Sequence, residues 1–108
     1  MVATAVIERV QTYLLRLVES GLPVSFGVVF GSYASGTTDE NSDIDVLVVS
    51  PQFDKKIERR WINQMWRIAA RTDSRIEPVP CGRDQWQHDT ANAIVEIART
   101  EGQRVTPN

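Results

Sequence analysis

The sequence predicts a small α/β (α+β) fold, a mixed β-sheet of about three strands packed against helices. Three observations carry this expectation. An amphipathic helical stripe opens the chain, two apolar β-branched runs follow with a short polar loop between them, and a second long helical stretch leads into a short strand rich in proline. With 108 residues there is room for one core, so residues 1–108 are read as a single domain.

From Val2 to Ser20, apolar residues at Val6, Val10, Tyr13, Leu14, Leu17 and Val18 recur at helical spacing, and Gly21 followed by Pro23 stops the helix. The run Val24 to Phe30 is apolar, β-branched and aromatic, which marks a buried strand. After a polar loop, Asp43 to Val49 forms a second strand. Ser50-Pro51 breaks that pattern, and Phe53 to Arg71 reads as one long helix with Ile57, Trp61, Met65, Ile68 and Ala69 on a common side. Arg75 to Pro80 is a third strand, confined by its prolines to an edge or to a quick ending. A last helix, interrupted around Gln87 to Thr90, carries Ala91, Ile94, Val95 and Ala98 and ends at Gly102. The tail from Gln103 to Asn108 is expected to be mobile. The short loop between the first two strands suits an antiparallel pair, whereas the long connection to the third suits a right-handed parallel crossover.

The chemistry concentrates at the junction of the first two strands. Gly31-Ser32 ends the first strand with small residues, which let backbone approach a ligand, and the Ser32 hydroxyl can donate to a phosphate oxygen. Tyr33-Ala34-Ser35 is read as a short helical turn with N–H groups free for an anion, closed by Gly36. After ten intervening residues Ser32 is followed by Asp43-Ile44-Asp45. Side chains alternate along a strand, so the two aspartates share a face. Paired carboxylates at the end of an apolar strand repel each other and resist desolvation unless a cation lies between them. Mg²⁺ is the expected cation, since it binds carboxylate oxygens and completes its shell with water and substrate phosphates. In a parallel crossover the starts of strands two and three lie together, which makes Glu77 the candidate third carboxylate.

The stretch Gly-Ser-Tyr-Ala-Ser-Gly-Thr-Thr-Asp-Glu-Asn-Ser-Asp-Ile-Asp, residues 31 to 45, resembles the signature of the DNA polymerase beta nucleotidyltransferase superfamily. The small size is similar to its minimal nucleotidyltransferase (MNT) branch, many of whose members are antitoxins paired with HEPN-domain toxins. The resemblance implies a metal-dependent transfer of AMP from ATP to a hydroxyl of a partner protein, a HEPN-type toxin, with two Mg²⁺ ions. Asp43 and Asp45 would bridge the ions, Glu77 would be a metal ligand holding only the nucleophile-side ion, and Gly31 and Ser32 would hold the β- and γ-phosphates. The superfamily usually places Asp where Glu77 stands, so Glu departs from the pattern by one methylene.

Composition bounds the alternatives. The 12 Lys and Arg against 14 Asp and Glu give a net charge of −2, which does not favour direct nucleic-acid binding. Cys81 is the single cysteine and has no partner for a disulfide or a zinc site, so it is read as packing in a reducing compartment. No apolar run reaches the roughly 18 residues of a membrane span, and the expectation is a cytoplasmic protein without membrane attachment. His88 is read as a surface or capping residue, and Trp61, Trp66 and Trp86 as core or interface. Lys56, Arg60, Arg67 and Arg71 recur at spacings that place them on one helical face. A chain this short must borrow its acceptor site. Two alternatives therefore stay open, a transferase acting on an aminoglycoside-like small molecule through a homo- or hetero-oligomer, and a non-enzymatic antitoxin that acts by binding alone.

Overall fold

In the computed structural model, which describes residues 2–31 and 42–108, helix α1 spans Thr4–Glu19. Its Val6, Val10, Tyr13, Leu14 and Leu17 are buried, while Val18 turns outward. Strands β1 (Phe26–Phe30) and β2 (Ile44–Ser50) pair antiparallel, and β3 (Ile76–Gly82) joins β2 in parallel. Between β2 and β3 lie a 3-10 turn at Pro51–Asp54 and helix α2 (Arg59–Thr72). Helices α3 (Arg83–His88) and α4 (Ala93–Glu101) follow, then a fourth strand, β4 (Gln103–Val105). The strand order is β3-β2-β1-β4.

Both faces of the sheet are covered, which is why β1 and β2 read as nearly continuous apolar runs. One face sends Val29, Ile44, Val46 and Val48 against α1 and α2, and the other sends Val28, Phe30, Leu47 and Val49 against Val95 and Ala98 of α4. Tyr13 ties α1 to α2 by donating its hydroxyl to the Met65 carbonyl at 3.0 Å, and burial pushes that phenol far above its ordinary range. Cys81 is buried in the second layer, where burial first, then the Asp54 charge, push its thiol up to about 11.

Four strands are present where the sequence suggested about three, and the expected mobile tail holds the fourth. Gly102 explains this: a side chain there would overlap Val28 and the Ala98 carbonyl, so only glycine lets the chain turn from α4 directly onto β1. Val105 then buries to 4 % exposure, although Gln103 and Arg104 beside it carry no apolar signal. The second long helix is also shorter than its pattern implied. Phe53 is buried in the 3-10 turn, and Asp54 accepts hydrogen bonds from the Asp84 and Gln85 backbone at the start of α3 instead of opening α2. Ile57 precedes α2 and is 44 % exposed, and Lys56 likewise lies outside the helix.

Strand β3 is an edge, as its prolines demand. Ile44 donates to the Arg75 carbonyl at 2.7 Å and is registered with Ile76. Parallel-ladder alternation then turns the backbone of Ile76, Pro78, Pro80 and Gly82 to the open side. None of the four offers an unspent donor: Ile76 N–H bonds to the Asp73 carbonyl at 3.0 Å, Gly82 N–H bonds to Gln85 Oε1 at 3.2 Å, and the prolines have no N–H. The edge is thereby protected from pairing with another chain.

Candidate active site

Asp45 lies opposite Phe30 on β1 and opposite Glu77 on β3, so the two neighbouring strands bracket it with Gly31 on one side and Glu77 on the other. Strand alternation aims Asp45 to the same face as Leu47 and Val49, at the end of the sheet where β2 begins. Asp43, just before β2, is exposed, whereas Asp45 and Glu77 are half-buried. The parallel crossover through α2 brings Glu77 to the aspartates across more than thirty sequence positions.

Gly31 takes φ +76°, a left-handed conformation that other residues adopt at a cost. A Cβ at this position would overlap Asp45 Oδ2. Glycine is therefore required twice, by the backbone turn and by the carboxylate that packs against it. Ser32, the turn read at Tyr33-Ala34-Ser35, Gly36 and the loop up to Asn41 lie outside the described residues.

Electrostatics mark the cluster as unrelieved negative charge. Burial first, then the Asp43 charge, hold the Asp45 carboxyl above its usual range, and a hydrogen bond with Glu77 pulls the other way. Glu77 is raised by burial, by the charges of Asp43 and Asp45, and by donating to both when protonated. A cation among these groups removes the repulsion. Among the described residues no three His, Cys, Asp or Glu side chains form a group able to hold a metal ion by themselves. The donor set instead suits Mg²⁺, which is held by one or two carboxylates and completed by substrate phosphates.

The remaining conspicuous residues are placed elsewhere. His88 is exposed at the end of α3, and Trp66 is 47 % exposed on α2. Trp86 meets Phe26 edge-to-face at 5.4 Å in the core layer beneath α4. Arg9 and Arg16 on α1 turn toward the C-terminal end of α2, a grouping the sequence did not reveal because it depends on how the helices pair. Among the described residues no helix is long and apolar enough to cross a membrane.

Comparison with solved structures shows the same fold. A crystal structure of a toxin–antitoxin with AMP-PNP aligns with TM-score 0.59 and 22 % identity, over 87 % of this chain and 70 % of that one. A candidate nucleotidyltransferase from Sulfolobus solfataricus aligns with TM-score 0.62 and 14 % identity, over 91 % and 77 % of the two chains. A toxin–antitoxin MntA–HpeT mutant, in which two aspartates two positions apart are replaced by glutamate, aligns with TM-score 0.58 and 20 % identity, over 87 % and 70 %. No curated protein matches by sequence. The Nucleotidyltransferase domain family matches residues 7–91, most of the sequence and including the strands β1, β2 and β3 that build the carboxylate cluster, and the chain belongs to that family.

Proposed function

We propose that the chain transfers AMP from ATP to a hydroxyl of a partner protein, a HEPN-type toxin, with Mg²⁺ as cofactor. The observation that carries this reading is the registered Asp45–Glu77 pair beside Asp43, packed against a left-handed Gly31. AMP-PNP in one structural neighbour, and the paired aspartates altered in another, support a nucleotide and an Asp-x-Asp function in proteins of this fold.

In the proposed step the acceptor oxygen bonds to the α-phosphorus in line as the bond to pyrophosphate breaks, and the hydroxyl proton leaves. Asp43 and Asp45 would hold the triphosphate's Mg²⁺, which would supply charge neutralisation on the leaving oxygens. Glu77 stands across Asp45 from Gly31 and receives the acceptor side, where a carboxylate of raised proton affinity suits removal of the hydroxyl proton. Gly31 brings backbone to the phosphates, and Ser32 adds a donor.

The test is intact-mass measurement of a HEPN-type partner protein, co-expressed with the chain and then given ATP and Mg²⁺. The reading predicts added adenylyl groups on the partner, lost with Asp45→Asn and slowed by Glu77→Gln. A neutralised partner without adduct would instead establish action by binding alone.

A further inference from the structure

Helices α1 and α2 pack antiparallel on one face of the sheet, with Arg9 and Thr12 of α1 beside Arg71 and Thr72 and with Ser20 beside Arg60, Gln64 and Arg67, and they leave a groove between them. One end is a cleft of about 670 Å³ that includes Arg9, Thr12, Arg16 and Arg71 in its lining. The other is a cleft of about 360 Å³ that includes Arg60, Gln64 and Arg67. Glu8 is the one acidic residue lining either cleft. From Arg9 to Ser20 the groove follows α1 for about 16 Å at the 1.5 Å rise of a helix, long enough for three helical turns of a ligand.

These five arginines are poorly compensated. Among the described residues only Arg60 has an ion pair, with Glu58 at 2.6 Å. Arg16 donates to the Thr72 hydroxyl at 2.9 Å and the Arg71 carbonyl at 3.4 Å, and Arg67 donates to Gln64 at 2.9 Å, all neutral acceptors. Arg9 is felt by Asp73, whose carboxylate is bonded to Arg75 at 2.7 Å. A protein of net charge −2 thus concentrates positive charge along one groove.

We propose that the α1–α2 groove docks an acidic segment of a partner protein. Charge complementarity favours carboxylates, which guanidinium groups bind through paired hydrogen bonds. Single-stranded nucleic acid would need open aromatic faces for its bases, and the one aromatic lining the groove, Trp61, is covered by Arg60 at 4.7 Å. The groove also has a direction. Its Arg9 end adjoins Asp73 and Arg75, and the Arg75 carbonyl bonds to Ile44 between the two aspartates. A partner held there has its nearer end beside the sheet end that carries Asp43, Asp45 and Glu77. The docking surface adds to the transfer reading and does not need it, since binding is read without ATP.

The experiment is fluorescence anisotropy at low ionic strength with two labelled probes: a synthetic alanine-based helical peptide bearing glutamates three and four residues apart on one face, and an oligouridylate of equal charge. The peptide is expected to bind the wild-type chain and to lose about tenfold or more in affinity to Arg67→Glu with Arg71→Glu. Arg83→Glu with Arg104→Glu, outside the groove, is expected to bind as wild type. Should the charge reversals fail to fold, Arg67→Gln with Arg71→Gln gives the same comparison. Amide exchange should slow along residues 9–20 and 60–72 when the peptide is bound. No peptide binding, equal loss in the Arg83 and Arg104 variant, or tighter binding of the oligouridylate overturns the proposal.

Discussion

Replacing Gly31 with alanine imposes two costs that a second glycine separates. Gly31 and Gly21 both have positive φ, +76° and +105°, but a Cβ at Gly31 overlaps Asp45 Oδ2 while one at Gly21 meets nothing within 4 Å. Gly21→Ala therefore carries the backbone cost alone, about 1–2 kcal/mol for an L residue in left-handed conformation. Gly31→Ala adds the displacement of the Asp45 side chain from its rotamer, about 0.5–1.5 kcal/mol, for a total of about 1.5–3.5 kcal/mol. At about 4–8 °C per kcal/mol for a domain of this size, the two variants separate in thermal unfolding. The cycle with Asp45→Ala identifies the source, because without the carboxylate Gly31→Ala should fall back to the cost of Gly21→Ala. Transfer activity follows the same logic, lost in Gly31→Ala and kept in Gly21→Ala. Equal destabilisation by the two glycine variants, with additivity in the Asp45→Ala background, would refute the claim that Gly31 is fixed by its carboxylate neighbour.

The other expectations are direct. Asp45→Asn should raise the melting temperature of the metal-free protein near neutral pH: its folded-state pKa lies above the ordinary value, so the carboxylate stabilises only at low pH and opposes folding once ionised. Asp73 has the opposite sign. The hydrogen bond from Arg75 holds its carboxyl below the ordinary 3.8, so its stabilisation is present above that pH and is lost as pH falls below it, and urea unfolding at pH 7 and pH 3 should show the penalty of Asp73→Asn shrinking. Tyr13→Phe should cost about 1 kcal/mol by removing the bond to Met65, measured by urea unfolding. Cys81 should resist alkylation at pH 8 until denaturant is added. Pro80→Val should open an edge donor and increase self-association in light scattering.

Elements with strong periodicity were legible in the sequence. The stripe of α1 and the alternation Ile44, Val46, Val48 against Leu47 and Val49 both appear in the structure, on the two faces expected of a covered strand. The parallel crossover was legible too, because a long helical connection and two prolines at an edge leave little else for β3. The start of α2 was not, since Phe53 and Ile57 continue a helical spacing that Asp54 breaks by bonding to α3, a contact thirty residues away. Strand β4 was not, because three residues with one apolar side chain give no signal, and its place depends on the close approach of Gly102 to β1. At the site, Asp43 and Asp45 followed from strand alternation, whereas the contact of Gly31 with Asp45 needed the register of β1 against β2. The arginine groove depends on the pairing of α1 with α2, which a single sequence does not encode locally.

The most direct test of the central claim is calorimetric titration of ATP into the chain with and without Mg²⁺, in the wild type and in Asp43→Asn with Asp45→Asn. The account predicts nucleotide binding that depends on Mg²⁺ in the wild type and loses that dependence in the double variant, because in the proposed function these carboxylates meet the triphosphate's cation. Unchanged Mg²⁺-dependent binding in the double variant would contradict it and move the nucleotide site away from the Asp43–Asp45–Glu77 cluster.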